Sequence, residues 1–246
     1  MPPLTILIPV ILILFTAAFI RSSVGFGDAV LAMPLLALLI PVKTATPLVA
    51  FCATTMTVSI LIGSWRKTDW RITFRLVVAT LIGIPPGLFL LKKMPDDILK
   101  LILGALICLY GLFRLFEPGL RLKKDIPILT FFFGLTAGLL GGAYNTNGPP
   151  IVIYGTLRAW PPARFRATLQ GYFLPTGFLI LIGHGFSGLW TADVFLIFGI
   201  ALPAVLLGVF IGGIVHPRLQ DRSFDRLVSS VLFLTGLLLL LRVLFV

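Results

Sequence analysis

The sequence predicts an all-α polytopic membrane protein made of two inverted repeats, each a broken, hairpin-like helix followed by three transmembrane helices. Three observations carry this reading. Of 246 residues, 58% are hydrophobic and only 12% are charged, whereas a soluble domain carries about 25% charged residues. There is too little polar surface to cover a water-soluble globule, and lipid is the solvent that fits. Apolar runs long enough to cross a bilayer recur along the chain. Two of them are interrupted, at corresponding places in the two halves, by polar breaks rich in Gly or Asn.

The first half opens with an apolar run over 4–20, then RSSVGFGD, then a short run over 29–41. No basic segment precedes Arg21, so the opening reads as mature protein rather than as a secretory signal. Runs at 45–64, 73–91 and 98–116 follow. The second half repeats the plan: 126–141, the break GAYNTNG, the short PPIVIYGTL, then runs at 167–183, 192–214 and 224–245. About 20 residues at 1.5 Å each cross the roughly 30 Å of hydrocarbon, and in lipid such runs satisfy their backbone groups as helices. Gly and Asn clusters end helices and Pro opens the next one. Further parallels, Gly87 with Asp97–Leu101 and Gly208 with Ser223–Leu227, support a duplication with repeats at 1–120 and 121–246.

Charge selects between two threadings. If each broken unit crosses once, the Lys and Arg residues divide almost evenly between the faces. If each is a hairpin returning to the same face, one side holds Arg66, Lys67, Arg71, Arg75, Arg114, Arg121, Lys123, Lys124, Arg158, Arg164, Arg166, Arg218, Arg222 and Arg226. The other side then holds Lys43, Lys92, Lys93, Lys100 and Arg242. That 14-to-5 split has the positive-inside form. It places both termini outside the cytoplasm and lets the two hairpin tips meet near the midplane. Trp65, Trp70, Trp160 and Trp190 fall at loop borders, as an aromatic belt requires.

The net charge of +11 sits in short clusters between apolar runs, which speaks against nucleic-acid binding. Cys52 and Cys108 lie inside apolar runs, with no disulfide or metal spacing. No nucleophile elbow, phosphate loop or carboxylate pair is present, so no catalytic residue, metal or cofactor is expected and the chain does not read as an enzyme. Coupling to H+ or Na+ and assembly into a homo-oligomer stay open.

The residues expected to meet a solute are Arg21, Ser22, Ser23 and Gly27 at the first break, with Tyr144, Asn145, Thr146, Asn147 and Gly148 at the second. Non-helical backbone at membrane depth belongs beside a wet cavity or inside protein, and the short helices that follow aim their N-terminal N–H groups there. The alternative is that the glycines only let helices pack closely. Asp28 is the only acidic residue in a broken unit; it reads as a proton or cation coupling group, as a partner for Arg21, or as a helix cap. Gln170, a turn into the next helix, either faces the cavity or bonds a neighbouring helix. His184, near the end of the same helix, suits an interfacial position better than a proton relay.

The second half also resembles the TauE/SafE sulfite exporter family. The likeness rests on Gly148-Pro149-Pro150, Tyr154 and Phe165-Arg166-Ala167-Thr168, with a looser companion in the first half at Gly25, Gly27, Pro34 and Thr54-Thr55. The resemblance implies a bacterial inner-membrane permease for small organic or sulfur-containing anions such as sulfite, sulfonates and related carboxylates. Asp28 and Asn147 stand where the family usually has glycine, and both add polar groups at the expected site. The reading that follows is a secondary-active permease in the lipid bilayer for a small anion. A passive channel and a membrane scaffold are the alternatives.

Overall fold

A computed structural model describes residues 3–61, 69–116, 121, 126–215 and 222–245. Among them all regular structure is helical, in ten helices: α1 Leu4–Val24, α2 Asp28–Ala37, α3 Val42–Leu61, α4 Trp70–Lys93, α5 Asp96–Phe116, α6 Pro127–Tyr144, α7 Gly148–Leu157, α8 Pro162–Phe186, α9 Ala192–Val215 and α10 Arg222–Phe245. Trp65, and the basic residues 66, 67, 123, 124 and 218 of the charge count, lie outside the described residues.

The chain breaks where the sequence places Gly and Asn. α1 ends on Gly25, at φ 99°, whose N–H reaches the Arg21 carbonyl at 2.7 Å; Gly27, at φ 104°, then leads into α2. Only glycine adopts this left-handed backbone without steric cost. α6 ends the same way on Asn145, at φ 53°, and Pro149 and Pro150 fall in the first turn of α7. α2 folds back along α1, since Leu31 and Leu35 share an apolar groove with Leu12, Ile13 and Thr16. α7 folds back along α6: the Tyr154 ring lies 5.5 Å from Phe133 and its hydroxyl 2.8 Å from that of Thr130.

The strongest pairings are α1 with α9, α4 with α6, and α5 with α10, around a centre in which α3 meets α8. Exchanging the two sets of five helices maps the first pairing onto the second and leaves the α5–α10 and α3–α8 pairings unchanged. Without a hydrophobic force between helices in lipid, small residues supply close contact. A Cβ on Gly83 would lie 2.2 Å from the Leu135 carbonyl oxygen, one on Gly138 2.2 Å from that of Thr80, and one on Gly212 2.5 Å from that of Phe19.

Among the described residues, six helical segments are apolar and long enough to cross a membrane: α1, α4, α5, α6, α9 and, in α10, Arg226–Phe245. α3 and α8 are the exceptions among the long helices, and their place explains why. Both are central, and they bury Thr46, Thr54, Thr57, Thr168, Gln170, Thr176 and His184. Lipid meets apolar side chains of the outer helices instead, including Phe74, Leu109, Phe132 and Phe210. Trp70 and Trp190 are exposed as a belt requires, but Trp160 is buried, packed edge-on to Tyr154 and Phe165.

Candidate functional site

The two breaks are far apart in sequence, yet one cavity joins them. Arg21, Gly27, Asp28, Ala29 and Val30 line it from the first hairpin; Asn145, Asn147 and Gly148 line it from the second. Ala53 and Thr57 of α3, with Phe173 and Gly177 of α8, complete the wall. Ala53, Phe173 and Gly177 stand near the middle of their helices, and Thr57 lies one turn from the end of α3. The free volume is about 20 Å³, room for about one water molecule.

Arg21 is the centre of this wall. It is 3% exposed, and its Nη1 donates to Asp28 Oδ2 at 2.6 Å. Nη2 donates to the Thr57 hydroxyl, which in turn donates to the Ala53 carbonyl at 2.7 Å. The guanidinium lies 5.0 Å from the centroid of the Phe173 ring, and its Nε is buried without a hydrogen-bond partner. A buried cation needs an opposite charge or a hydrogen-bonded shell, because leaving water costs several kcal/mol per ion, in rough terms. Asp28 supplies the charge and Thr57 part of the shell, so the pair is neutral as a unit.

The facing wall is uncharged. Asn147 Nδ2 donates to the Thr176 hydroxyl at 3.1 Å, which in turn donates to the Tyr172 carbonyl at 2.7 Å. α2 and α7 both begin at the cavity, so their first-turn N–H groups add positive potential to the site. A cation, neutral amides and two helix N-termini around a small cavity suit a small anion. Among the described residues no cluster of metal-ligating side chains is present.

The expected site residues separate into two groups. Arg21, Gly27, Asp28, Asn145, Asn147 and Gly148 line the cavity. The others hold the hairpins in place. Ser22 donates to the Val209 carbonyl at 2.7 Å, and Ser23 to the carbonyls of Phe19 and Gly212 at 2.8 and 3.3 Å. Tyr144 donates to the Leu99 carbonyl at 3.1 Å. Thr146 faces an apolar groove between α5 and the second hairpin. Gln170 Nε2 donates to the Gly25 carbonyl at 2.7 Å, bonding the first break rather than lining the cavity. His184, in the last turn of α8, is fully buried, and its Nε2 lies 3.2 Å from the Gly142 carbonyl.

The hairpins also do not meet tip to tip. Gly25 and Phe26 lie against Arg166 and Phe165, near the start of α8. Gly141 and Gly142 lie against Ile180 and His184, near its end. The hairpins overlap, and the cavity forms where the flank of one passes the flank of the other. Thr57, Phe173 and Gly177 were not singled out from sequence. The run of Thr54, Thr55, Thr57 and Ser59 in the second half of α3 is the available signal for Thr57.

Comparison with known proteins bears on this architecture. The profile of the sulfite exporter TauE/SafE family matches residues 10–239. A probable sulfite/organosulfonate exporter TauE of Cupriavidus necator is 24% identical over 234 residues, covering 93% of this chain and 91% of that protein. No solved structure gives a significant match.

Proposed function

We propose a solute and a route for this chain, which belongs to the sulfite exporter TauE/SafE family and is a multi-pass membrane transporter rather than an enzyme. The solute is a small anion of the sulfite or organosulfonate class, as the name of the Cupriavidus necator relative suggests. The site is the cavity between the two helix breaks. The observation that carries this is Arg21, a buried cation placed in a wall contributed by both halves. Asp28 occupies the guanidinium that the anion uses, so anion and carboxylate compete for Arg21. Protonation of Asp28, or its pairing with a cation, would relieve that competition and supply the coupling of a secondary-active carrier.

A carrier alternates access around a central site by moving one repeat against the other. The cavity is small and lined by both halves, as a carrier site between two moving repeats requires. The swap-symmetric pairing supports a duplication, and the charge split supports inverted repeats with both termini outside; a bacterial inner membrane is the location proposed with them. Reconstitution into proteoliposomes tests the function. Saturable sulfite or sulfonate flux, concentrated by an imposed pH or Na+ step, is expected; gradient-independent, non-saturating flux contradicts the carrier. A reporter fused after Val246 tests the threading: activity on the periplasmic side is expected, and cytoplasmic activity contradicts it.

A further inference from the structure

We propose that Arg166 is the outer contact for the transported anion on the face of the first break, and that one stripe of α8 forms the route from there to the cavity. The proposal rests on the cavity being the anion site.

Arg166, Gln170, Phe173 and Gly177 are spaced by four, three and four residues along α8, so they share one face of the helix. The last two line the cavity, and Phe173 lies beside Arg21. The first two close the loop at Gly25. Gln170 Nε2 holds the Gly25 carbonyl at 2.7 Å. Arg166 is so close to that loop that a Cβ on Gly25 would lie 3.2 Å from its Nε. Phe26, the next residue, packs edge-on to Phe165 at 6.3 Å and under the Arg114 guanidinium at 5.5 Å. The loop at Gly25 and Phe26 thus touches Arg166, which is not on the cavity wall, while Arg21 is.

The amide of Gln170 has a fixed orientation. The Gly25 carbonyl only accepts, so the nitrogen must face it, and Gln170 Oε1 is left buried without a hydrogen-bond partner. Arg21 Nε is in the same condition. A buried polar atom that gives up its partner costs free energy, and here both such atoms stand along the proposed route. Passage of an anion requires the Gln170–Gly25 bond to open, and the two left-handed glycines at 25 and 27 provide the hinge. Arg166 then raises the local anion concentration on that face only.

The test uses the full-length protein in proteoliposomes of known orientation, with the KM for sulfite measured from each face. Arg166→Gln is expected to raise KM by about tenfold on the face of loop 25–27 alone and to flatten its dependence on ionic strength. Arg166→Lys keeps the charge and is expected to restore most of the loss. Gln170→Glu loses the donor to the Gly25 carbonyl but places a carboxylate on the same stripe, and the net effect expected from repulsion of the anion is a rise in the same one-sided KM. An equal rise on both faces, or none in either variant, overturns the route. Equilibrium sulfite binding to the detergent-solubilised protein separates this from failure of the site itself. Arg21→Gln is expected to lower that affinity by about 100-fold; wild-type affinity in Arg21→Gln would overturn the cavity reading.

Discussion

The two helix breaks share a backbone plan and differ in charge. Each ends a long helix on a residue with left-handed backbone, Gly25 in one and Asn145 in the other, and each starts a ten-residue helix within three residues. Around the first break stand Arg21 and Asp28. Counted from the break, the corresponding places of the second hold Gly141 and Gly148. The second contributes Asn145 and Asn147 instead. The scaffold is near-symmetric, and the chemistry is not. Among the described residues, one half provides the only guanidinium on the cavity wall and its counter-charge, while the other provides neutral hydrogen-bonding groups. The anchoring differs as well. α6 approaches α4 through glycines on both helices, whereas α1 is held to α9 by glycines on one side and by the hydroxyls of Ser22 and Ser23 on the other.

This asymmetry can be broken from either side. Arg21→Gln removes the charge and should lower anion flux by about 100-fold, corresponding to roughly 3 kcal/mol for a charged hydrogen bond lost; near-normal flux would assign the anion to another cation. Gly138→Val overpacks the α4–α6 contact and should destabilise the protein by about 1–3 kcal/mol in a thermal melt in detergent. The same change at Gly199, where a Cβ would meet nothing within 4 Å, should leave the melt unaltered. Gly148→Asp puts a second carboxylate at the start of α7. A Cβ there makes only ordinary contact with Phe173 at 3.6 Å, so the fold should persist while anion affinity falls by about tenfold through repulsion. Ser22→Ala is the mildest, at about 0.6 kcal/mol, since hydrogen bonds between membrane helices are individually weak; a loss of flux rather than of stability would return Ser22 to the substrate path.

Much of this architecture was legible because lipid imposes a strong constraint on sequence. Apolar runs marked the helices, and Gly25, Gly27 and the GAYNTNG segment marked where they end. The family was legible from Gly148-Pro149-Pro150 and the segment Phe165–Thr168. What was not legible is the direction each side chain takes. Ser22, Ser23, Tyr144 and Thr146 are polar groups beside a break, as Asn145 and Asn147 are. Their orientation depends on which helix the flank of the hairpin meets. For Ser22 and Ser23 that is α9, and for Tyr144 it is α5, both more than forty residues distant. The overlap of the hairpins was hidden for the same reason, since charge counting fixes the face on which a loop lies and not how deep a tip reaches. Trp160 stands at a loop border by sequence, but Tyr154 and Phe165 bury it.

The central claim is that a cation from one half and an amide from the other hold the same anion. A double-mutant cycle on sulfite affinity, with Arg21→Lys and Asn147→Ala measured singly and together by calorimetry on the purified protein, tests it most directly. Two groups sharing one ligand should show a coupling of about 0.5 kcal/mol or more. Strictly additive effects, or no change in affinity in either single variant, would contradict a shared site.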